Sequence, residues 1–251
     1  MPKSEVNGPD FDLIFSRHAA EYHELVAAED WQGNLPGTLR RIADPTGKTV
    51  VELGAGTGRV TALMAPGAAK VLAFDRSRSM LDQAAANMSR LGISNVTLAV
   101  ADNRAVPLPD TIADIVVEGW SFGHTVSVAR DSWRGAAEEL IRESERLLSP
   151  GGSLIMIETL GTGFRMPTPP GDILPVFFGF LERQLGFAAT WIRTDYRFPS
   201  LVDARRLVEF FFGAMTDYEL GADGGVIVPE CTGIWWRKKL AQPSPRRKTR
   251  R

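Results

Sequence analysis

Apolar residues recur along this chain in two alternating rhythms. Short runs rich in β-branched residues cover residues 49–53, 70–75, 96–100, 112–118 and 153–158. Their length and composition predict buried strands. The stretches between them follow a helical period. In 77–91, Met80, Leu81, Ala84, Ala85, Met88 and Leu91 fall on one stripe; in 132–148, Ala136, Ala137, Leu140, Ile141, Leu147 and Leu148 make a second. Val60, Leu63 and Met64 suggest a shorter helix, stopped near Pro66-Gly67. Ser79 with Asp82 three residues on fits a capping box, and Gly92 suits the residue after a helix end. Ser149-Pro150-Gly151-Gly152 stops the second long helix and turns the chain.

The flanks are less regular. Residues 11–30 read as one helix with Leu13, Ile14, Ala20, Leu25 and Val26 among its apolar positions, and 38–42 as a short one. Beyond Glu158 comes a loop rich in glycine and proline, 161–171, then an aromatic helix over 173–185. Strands over 190–198 and 226–237 close the pattern, with a helix over 202–212 between them. There is no internal repeat. Strand–helix alternation implies βαβ units, hence an α/β fold with a doubly wound, mostly parallel sheet covered on both faces and joined by right-handed crossovers.

Composition narrows the class without naming the chemistry. The 251 residues are 44% hydrophobic and 24% charged, which is globular and long enough for a real core. The single cysteine, Cys231, excludes an internal disulfide framework and a cysteine-based zinc site. The formal charge is −1, but five positive charges lie in the last six residues, so residues 1–245 carry −6. A basic groove for nucleic acid is therefore not suggested. The start lacks the charged and apolar regions of a secretion signal. No apolar stretch is long enough to span a membrane; the longest, 173–181, is interrupted by Pro175 and Gly179. The expected location is cytoplasmic. Residues 1–9 read as a frayed end, and 242–251 as a disordered basic tail, for which a solvated end is favoured over a nucleic-acid or phospholipid contact.

The chemistry is concentrated at strand ends. Val51-Glu52-Leu53-Gly54-Ala55-Gly56-Thr57-Gly58-Arg59 runs from a strand into a helix. Glycines there permit positive φ and close approach of a ligand to the backbone, and helix N–H groups point at whatever binds. The spacing is G-x-G-x-G, with Arg59 where the third glycine of a dinucleotide fingerprint would fall. No Gly-Lys-Ser/Thr follows, so a P-loop is excluded. Glu52 just before the turn favours a cationic ligand over a pyrophosphate by charge sign. Asp75 ends the next strand, 21 residues after Gly54, close to the offset at which an acid meets a ribose; it also fits an acid at a helix start. Asp102 and Asn103 follow the third strand and can accept the amino hydrogens of adenine, or form a plain Asx turn. The fourth strand runs through Asp114 to Glu118, Gly119 and Trp120.

In order and spacing these elements, with Leu147 to Gly152 after them, resemble the class I S-adenosylmethionine-dependent methyltransferases, in particular those acting on small molecules. The resemblance is good over residues 48–158 and weaker to the end, including Tyr196-Arg197-Phe198-Pro199-Ser200. It implies a Rossmann-like seven-stranded sheet with an antiparallel edge strand, and a helical N-terminal cap near residues 22–35. It also implies S-adenosyl-L-methionine as cofactor. The methionyl part would lie on Gly54, Ala55, Gly56 and Gly58 with Glu52 in support. Asp75 would take the ribose, Arg76 and Met80 would lie near the adenine, Asp102 and Asn103 would meet its edge, and Glu118 would lie near the methionyl group. One domain is expected over 1–241: a cap (1–47), a cofactor-binding half (48–158) and an acceptor-side half (159–241).

The reaction implied is in-line methyl transfer to a small-molecule acceptor, in which positioning supplies much of the rate. His124, six residues after Glu118, is the candidate base for a hydroxyl acceptor, though a packed loop histidine fits the same position. His18 and His23 can reach from the cap. Trp120 and Phe122 can face a sulfonium or aromatic acceptor, or pack in the core. Part of 177–181 can line an apolar acceptor pocket, and of the adjacent Trp235 and Trp236 only one can point there. No metal site is expected. A non-catalytic cofactor-binding module, a methyltransferase acting on RNA or protein, and a nicotinamide oxidoreductase are the competing readings. The strand exit Glu118-Gly119-Trp120-Ser121 departs from the Asn/Asp-Pro-Pro-Tyr type of many nucleic-acid amino methyltransferases.

Overall fold

In the computed structural model, which describes residues 9–214, 218–221 and 224–240, the apolar runs become strands at the expected places. The chain begins with α1 (Phe11–Arg17), α2 (Ala19–Ala27) and α3 (Asn34–Ile42). It continues through β1 (Thr49–Leu53), α4 (Arg59–Met64), β2 (Lys70–Asp75), α5 (Arg78–Arg90), β3 (Val96–Val100), β4 (Ala113–Gly119) and α6 (Phe122–Ala129). After a 3₁₀ turn come α7 (Trp133–Leu147), β5 (Leu148–Thr162), α8 (Ile173–Arg183), β6 (Ala188–Arg193), β7 (Tyr196–Phe198) and α9 (Leu201–Phe212). β8 (Glu219–Leu220), β9 (Val226–Val228) and β10 (Glu230–Lys238) complete it.

The main sheet has the order β3-β2-β1-β4-β5-β10-β6. β1 pairs in parallel with both β2 and β4, so the strand order reverses there. The mostly parallel seven-stranded sheet is present, and its antiparallel strand is β10. That strand stands one place in from the edge, with β6 outside it. Alternation along the strands divides the core. Val51, Leu53, Val116 and Met156 face one side with α6, α7 and α8, while Val50, Val71, Ile115, Val117 and Ile155 face the other with α3 and α4.

Several boundaries differ from the expectations. The helix expected over 11–30 is two helices, broken at His18, whose ring packs against Phe210 at 5.6 Å. The break turns α1 away from the line of α2. The cap of α5 is Ser77, not Ser79: its hydroxyl accepts from the Met80 N–H, because Asp75 turns the chain earlier by accepting from the Ser77 N–H. The stretch 190–198 is divided between two sheets, and so is 226–237. Pro229, with no N–H to donate, separates β9 from β10. The small sheet β7-β9-β8 was not expected. It packs with α9 and with Leu25 of α2 into a separate apolar cluster of Tyr196, Phe198, Leu207, Val226 and Val228. The aromatic helix α8 is core rather than pocket wall: Phe177 is fully buried, and Phe178 stacks on Trp235 at 4.3 Å. Trp236 packs on the opposite face of the sheet. The frayed start and the basic tail lie outside the described residues, except for Pro9.

Leu25 is the cap's anchor in this third cluster. Truncating it, Leu25→Ala, should cost about 2–5 kcal/mol in urea denaturation with a single transition. A cost below about 1 kcal/mol, or a separate early transition, would mean that the cap does not fold with the sheet.

Candidate functional site

The carboxyl ends of β1, β2, β3 and β4 meet at a cavity of about 550 Å³, where the strand order reverses. Gly54, Gly56, Asp75, Arg76, Met80, Asp102, Asn103 and His124 all line it. Glu52, Ala55, Gly58 and Glu118 do not.

The glycine turn divides by side. Gly54 has φ +74°, and a Cβ there would collide with the Ser121 hydroxyl; Gly56 has φ +53° and lies beneath the Tyr22 ring, a Cβ there standing 3.9 Å from Cε1. These two bring bare backbone to the cavity. Gly58, also left-handed, turns the other way: a Cβ on it would lie 3.0 Å from Met88 Cε and 3.3 Å from Ala84 Cβ, so it serves the packing of α5. Ala55 is buried and its N–H donates to the Phe74 carbonyl at 2.8 Å, which ties the turn to β2.

Asp75 holds the turn from below. One carboxylate oxygen accepts from the Gly56 N–H and the other from the Ser77 N–H, each at 2.8 Å. Burial raises its pKa, and these two N–H bonds oppose the shift. The Ser77 hydroxyl donates to the Phe15 carbonyl at 2.6 Å, and Arg76 pairs with Asp12 at 2.5 Å, so α1 lies across the opening. The Arg76–Asp12 pair is largely solvent-exposed and contributes little.

At the β3 exit both sequence readings of Asp102 meet. It forms an Asx turn, accepting from the Arg104 N–H at 2.9 Å, and it lines the cavity. The Arg104 guanidinium grips the carboxylate and pulls its pKa down to about 2. Asn103 donates from Nδ2 to the Ser121 hydroxyl at 2.9 Å, while its buried Oδ1 has no hydrogen-bond partner. Asn103 is therefore the acceptor with unused capacity at this end of the cavity.

The acids expected to present charge to the ligand do something else. Glu52 is 1% exposed and accepts from the Thr61 hydroxyl at 2.5 Å, which seats α4 on β1. Burial pushes its pKa up to about 8, so it is mostly neutral at pH 7. Glu118 accepts from the Ser121 and Phe122 N–H groups at 3.2 Å each, and Glu158 from the Gly123 N–H at 2.5 Å. Both are buried, and the charge of Glu158 acts on Glu118. Burial holds Glu118 well above the usual range and pushes Glu158 up to about 8. Two neighbouring carboxyls in a desolvated place retain a proton, and together they seat the start of α6.

That helix carries His124. Its ring meets Phe11 edge-on at 5.2 Å and Phe15 at 5.7 Å, and burial, aided by Arg76, lowers its pKa, so the imidazole is neutral at pH 7. Tyr22 packs against Phe15 and Phe211, and burial pushes its phenol up to about 12. Phe11, Phe15 and Tyr22 line the cavity without having been marked in the sequence as site residues. An aromatic pair four residues apart was the available signal, but only the break at His18 brings it over the strand ends. Phe122 is fully buried core, whereas Trp120 lines the cavity. His18 and His23 lie outside it. Among the described residues there is no cluster suited to a metal ion, and no helix is long and apolar enough to cross a membrane.

A family model described as a methyltransferase domain matches residues 50–152. An uncharacterised methyltransferase of Geobacillus kaustophilus is 25% identical over 157 residues, 61% of this chain and 68% of that protein. A demethylmenaquinone methyltransferase of Clavibacter sepedonicus is 30% identical over 121 residues, 48% of this chain and 45% of that protein, so the match spans less than half of that relative. The solved structure of a SAM-dependent methyltransferase from Aquifex aeolicus has the same fold, with TM-score 0.52 and 16% identity over 87% of this chain and 97% of that one.

The buried acids set a direction for stability against pH. Glu52, Glu158 and Glu230 are each pushed up to about 8, so the folded chain keeps protons that the unfolded chain releases. Their contribution is full below the ordinary carboxylate range and is lost as pH rises through about 8. His23 and His124 are lowered by burial and act in the opposite sense, their contribution being gained as pH rises through the ordinary histidine range rather than through about 8. The urea midpoint should therefore fall between pH 7 and about pH 9, and Glu158→Gln should flatten the fall. A midpoint that holds or rises over that interval would count against protonated buried acids.

Proposed function

We propose that this chain is a class I S-adenosylmethionine-dependent methyltransferase and that it methylates a small-molecule acceptor within the cavity at the β1–β4 strand ends. The observation that carries the proposal is the convergence of Gly54, Gly56, Asp75, Met80 and Asn103 on that cavity beneath a cap of Phe11, Phe15 and Tyr22. The donor set suits an adenosyl cofactor. Bare backbone at Gly54 and Gly56 admits the methionyl part. Asp75 retains lone pairs for ribose hydroxyls while it accepts from Gly56 and Ser77. Asn103 Oδ1 offers an unused acceptor to an adenine amino group, and Met80 and Arg76 lie along the same wall. Asp102 contributes less directly, because Arg104 occupies it. Glu52, Ala55, Gly58 and Glu118 support this shape from behind.

S-adenosylmethionine, when bound, supplies an electrophilic methyl on a good leaving group. The chain's own part is to hold acceptor and methyl in line and to exclude water. The aromatic wall of Phe11, Phe15 and Tyr22 does the second, and its closeness over the opening favours a small acceptor over a macromolecule. His124 is neutral and lines the cavity, so its free nitrogen can take a proton from a hydroxyl acceptor. Tyr22 keeps its proton and serves as a donor rather than a base.

Isothermal calorimetry tests the reading. S-adenosylhomocysteine should bind the full chain, NAD should not, and Asp75→Asn should weaken binding about tenfold, the worth of a charge-assisted hydrogen bond. NAD binding with no response to S-adenosylhomocysteine would sink the proposal. With an acceptor in hand, His124→Ala should lower kcat about a hundredfold or more if His124 is the base. A change of only a few-fold in kcat would leave the ring a packing role.

A further inference from the structure

Arg59 follows the third glycine of the turn, and in the sequence it marks only a departure from a dinucleotide fingerprint. In the fold it is a junction. Its side chain is 17% exposed, and Nη1 donates to Glu29 Oε2 at 2.5 Å, just beyond the end of α2 in the cap. The guanidinium lies 3.9 Å over the centre of the Trp120 ring, and Trp120 lines the cavity. The other oxygen of Glu29 accepts from the Thr194 hydroxyl at 3.0 Å, and Thr194 shares a hydrogen bond with Thr232 of β10 at 2.5 Å. Backbone bonds run alongside: the Asp30 N–H donates to the Thr194 carbonyl, and the Arg197 N–H to the Ala28 carbonyl. One connected set of contacts thus joins the glycine turn, the cap, the β4 exit and the acceptor side of the sheet.

Two features make this more than a packing contact. Trp120 has φ +55°, a conformation that costs a bulky residue energy and persists only where its surroundings impose it. The restraints are its N–H bond to the Ile157 carbonyl at 2.7 Å and the face of Arg59. The Glu29 side chain, in turn, is 2% exposed, so the pair is desolvated, and removing one partner strands the other. Nη2 of the same guanidinium is buried without a hydrogen-bond partner.

We propose that Arg59 is a positioning residue: held by Glu29 of the docked cap, it presses Trp120 into the cavity wall, so that cap docking and the shape of the cofactor site are coupled. The coupling rests on the assignment of the cavity to the adenosyl cofactor. Three variants of the full chain separate the possibilities. Arg59→Lys keeps a charge for Glu29 but loses the flat face. Glu29→Gln changes a cap residue and removes the charge that holds Arg59. Arg59→Met combined with Glu29→Gln removes both charges together, which avoids a stranded acid if Arg59→Met alone does not fold.

In calorimetry, Arg59→Lys and the double variant should bind S-adenosylhomocysteine about tenfold more weakly than the parent at a temperature where all are folded. In the unliganded chain, Glu29→Gln should speed amide hydrogen exchange several-fold across residues 120–123, although Glu29 belongs to the cap. Unchanged affinity in Arg59→Lys and the double variant, with only the melting temperature lowered, would overturn the proposal. Unchanged exchange at 120–123 would overturn it as well. If the parent itself fails to bind S-adenosylhomocysteine, the cofactor reading falls instead, and the exchange measurement on the unliganded chain then decides the coupling alone.

Discussion

The cavity depends on one carboxylate. Asp75, at the end of β2, accepts from the Gly56 N–H with one oxygen and from the Ser77 N–H with the other. The first bond satisfies an amide that the glycine turn would otherwise leave without a partner, while Gly54, Gly56 and Gly58 all stand at positive φ. The second turns the chain early enough for Ser77 to cap α5. The Ser77 hydroxyl then has its proton free for the Phe15 carbonyl, which draws α1 across the opening. Turn, helix start and cap therefore share one anchor. A group with this much fixed local duty is also well placed to meet a ribose, because its orientation is set before any ligand arrives.

A second constraint is the number of acids buried at the carboxyl end of the sheet. Glu52, Glu118, Glu158 and Glu230 are each at most 2% exposed. Charge sign alone suggests that such acids attract a cation. Desolvation decides otherwise: it favours the protonated forms, and the groups serve as hydrogen-bond posts for Thr61, the start of α6 and Thr159. The buried ion pair of this region, Arg59 with Glu29, joins elements far apart in sequence. Its role is one of arrangement, as buried pairs rarely add net stability.

The central half of the molecule was legible because its signals are local. A buried parallel strand is a short apolar run, and β1 and β2 end where glycine or a polar residue interrupts it, whereas the edge strand β3, read the same way, is only partly buried. In a parallel sheet all such ends lie on one side, which is why Gly54, Asp75 and Asn103, distant in sequence, meet in one cavity. The late region was less legible. Nothing in residues 190–198 marks the change of sheet at Thr194 and Asp195, because the same extended backbone serves β6 and β7, and only the partner strands differ. The break at His18 likewise has no glycine or proline to announce it.

By itself, then, the sequence determined the five central strands, the glycine turn and the strand-end acids, since propensity, spacing and chain reversal act over a few residues. It could not determine which side of the turn each residue faces. Glu52, Gly58 and Glu118 belong to the same motifs as Gly54 and Asp75, yet they look inward to α4, α5 and α6. Nor could it bring Phe11, Phe15, Tyr22 and Arg59 to the cavity region, or make neutral hydrogen-bond posts of its acids. Those outcomes depend on burial and on contacts between distant segments, and such contacts exist only once the sheet, the cap and the small second sheet have packed together.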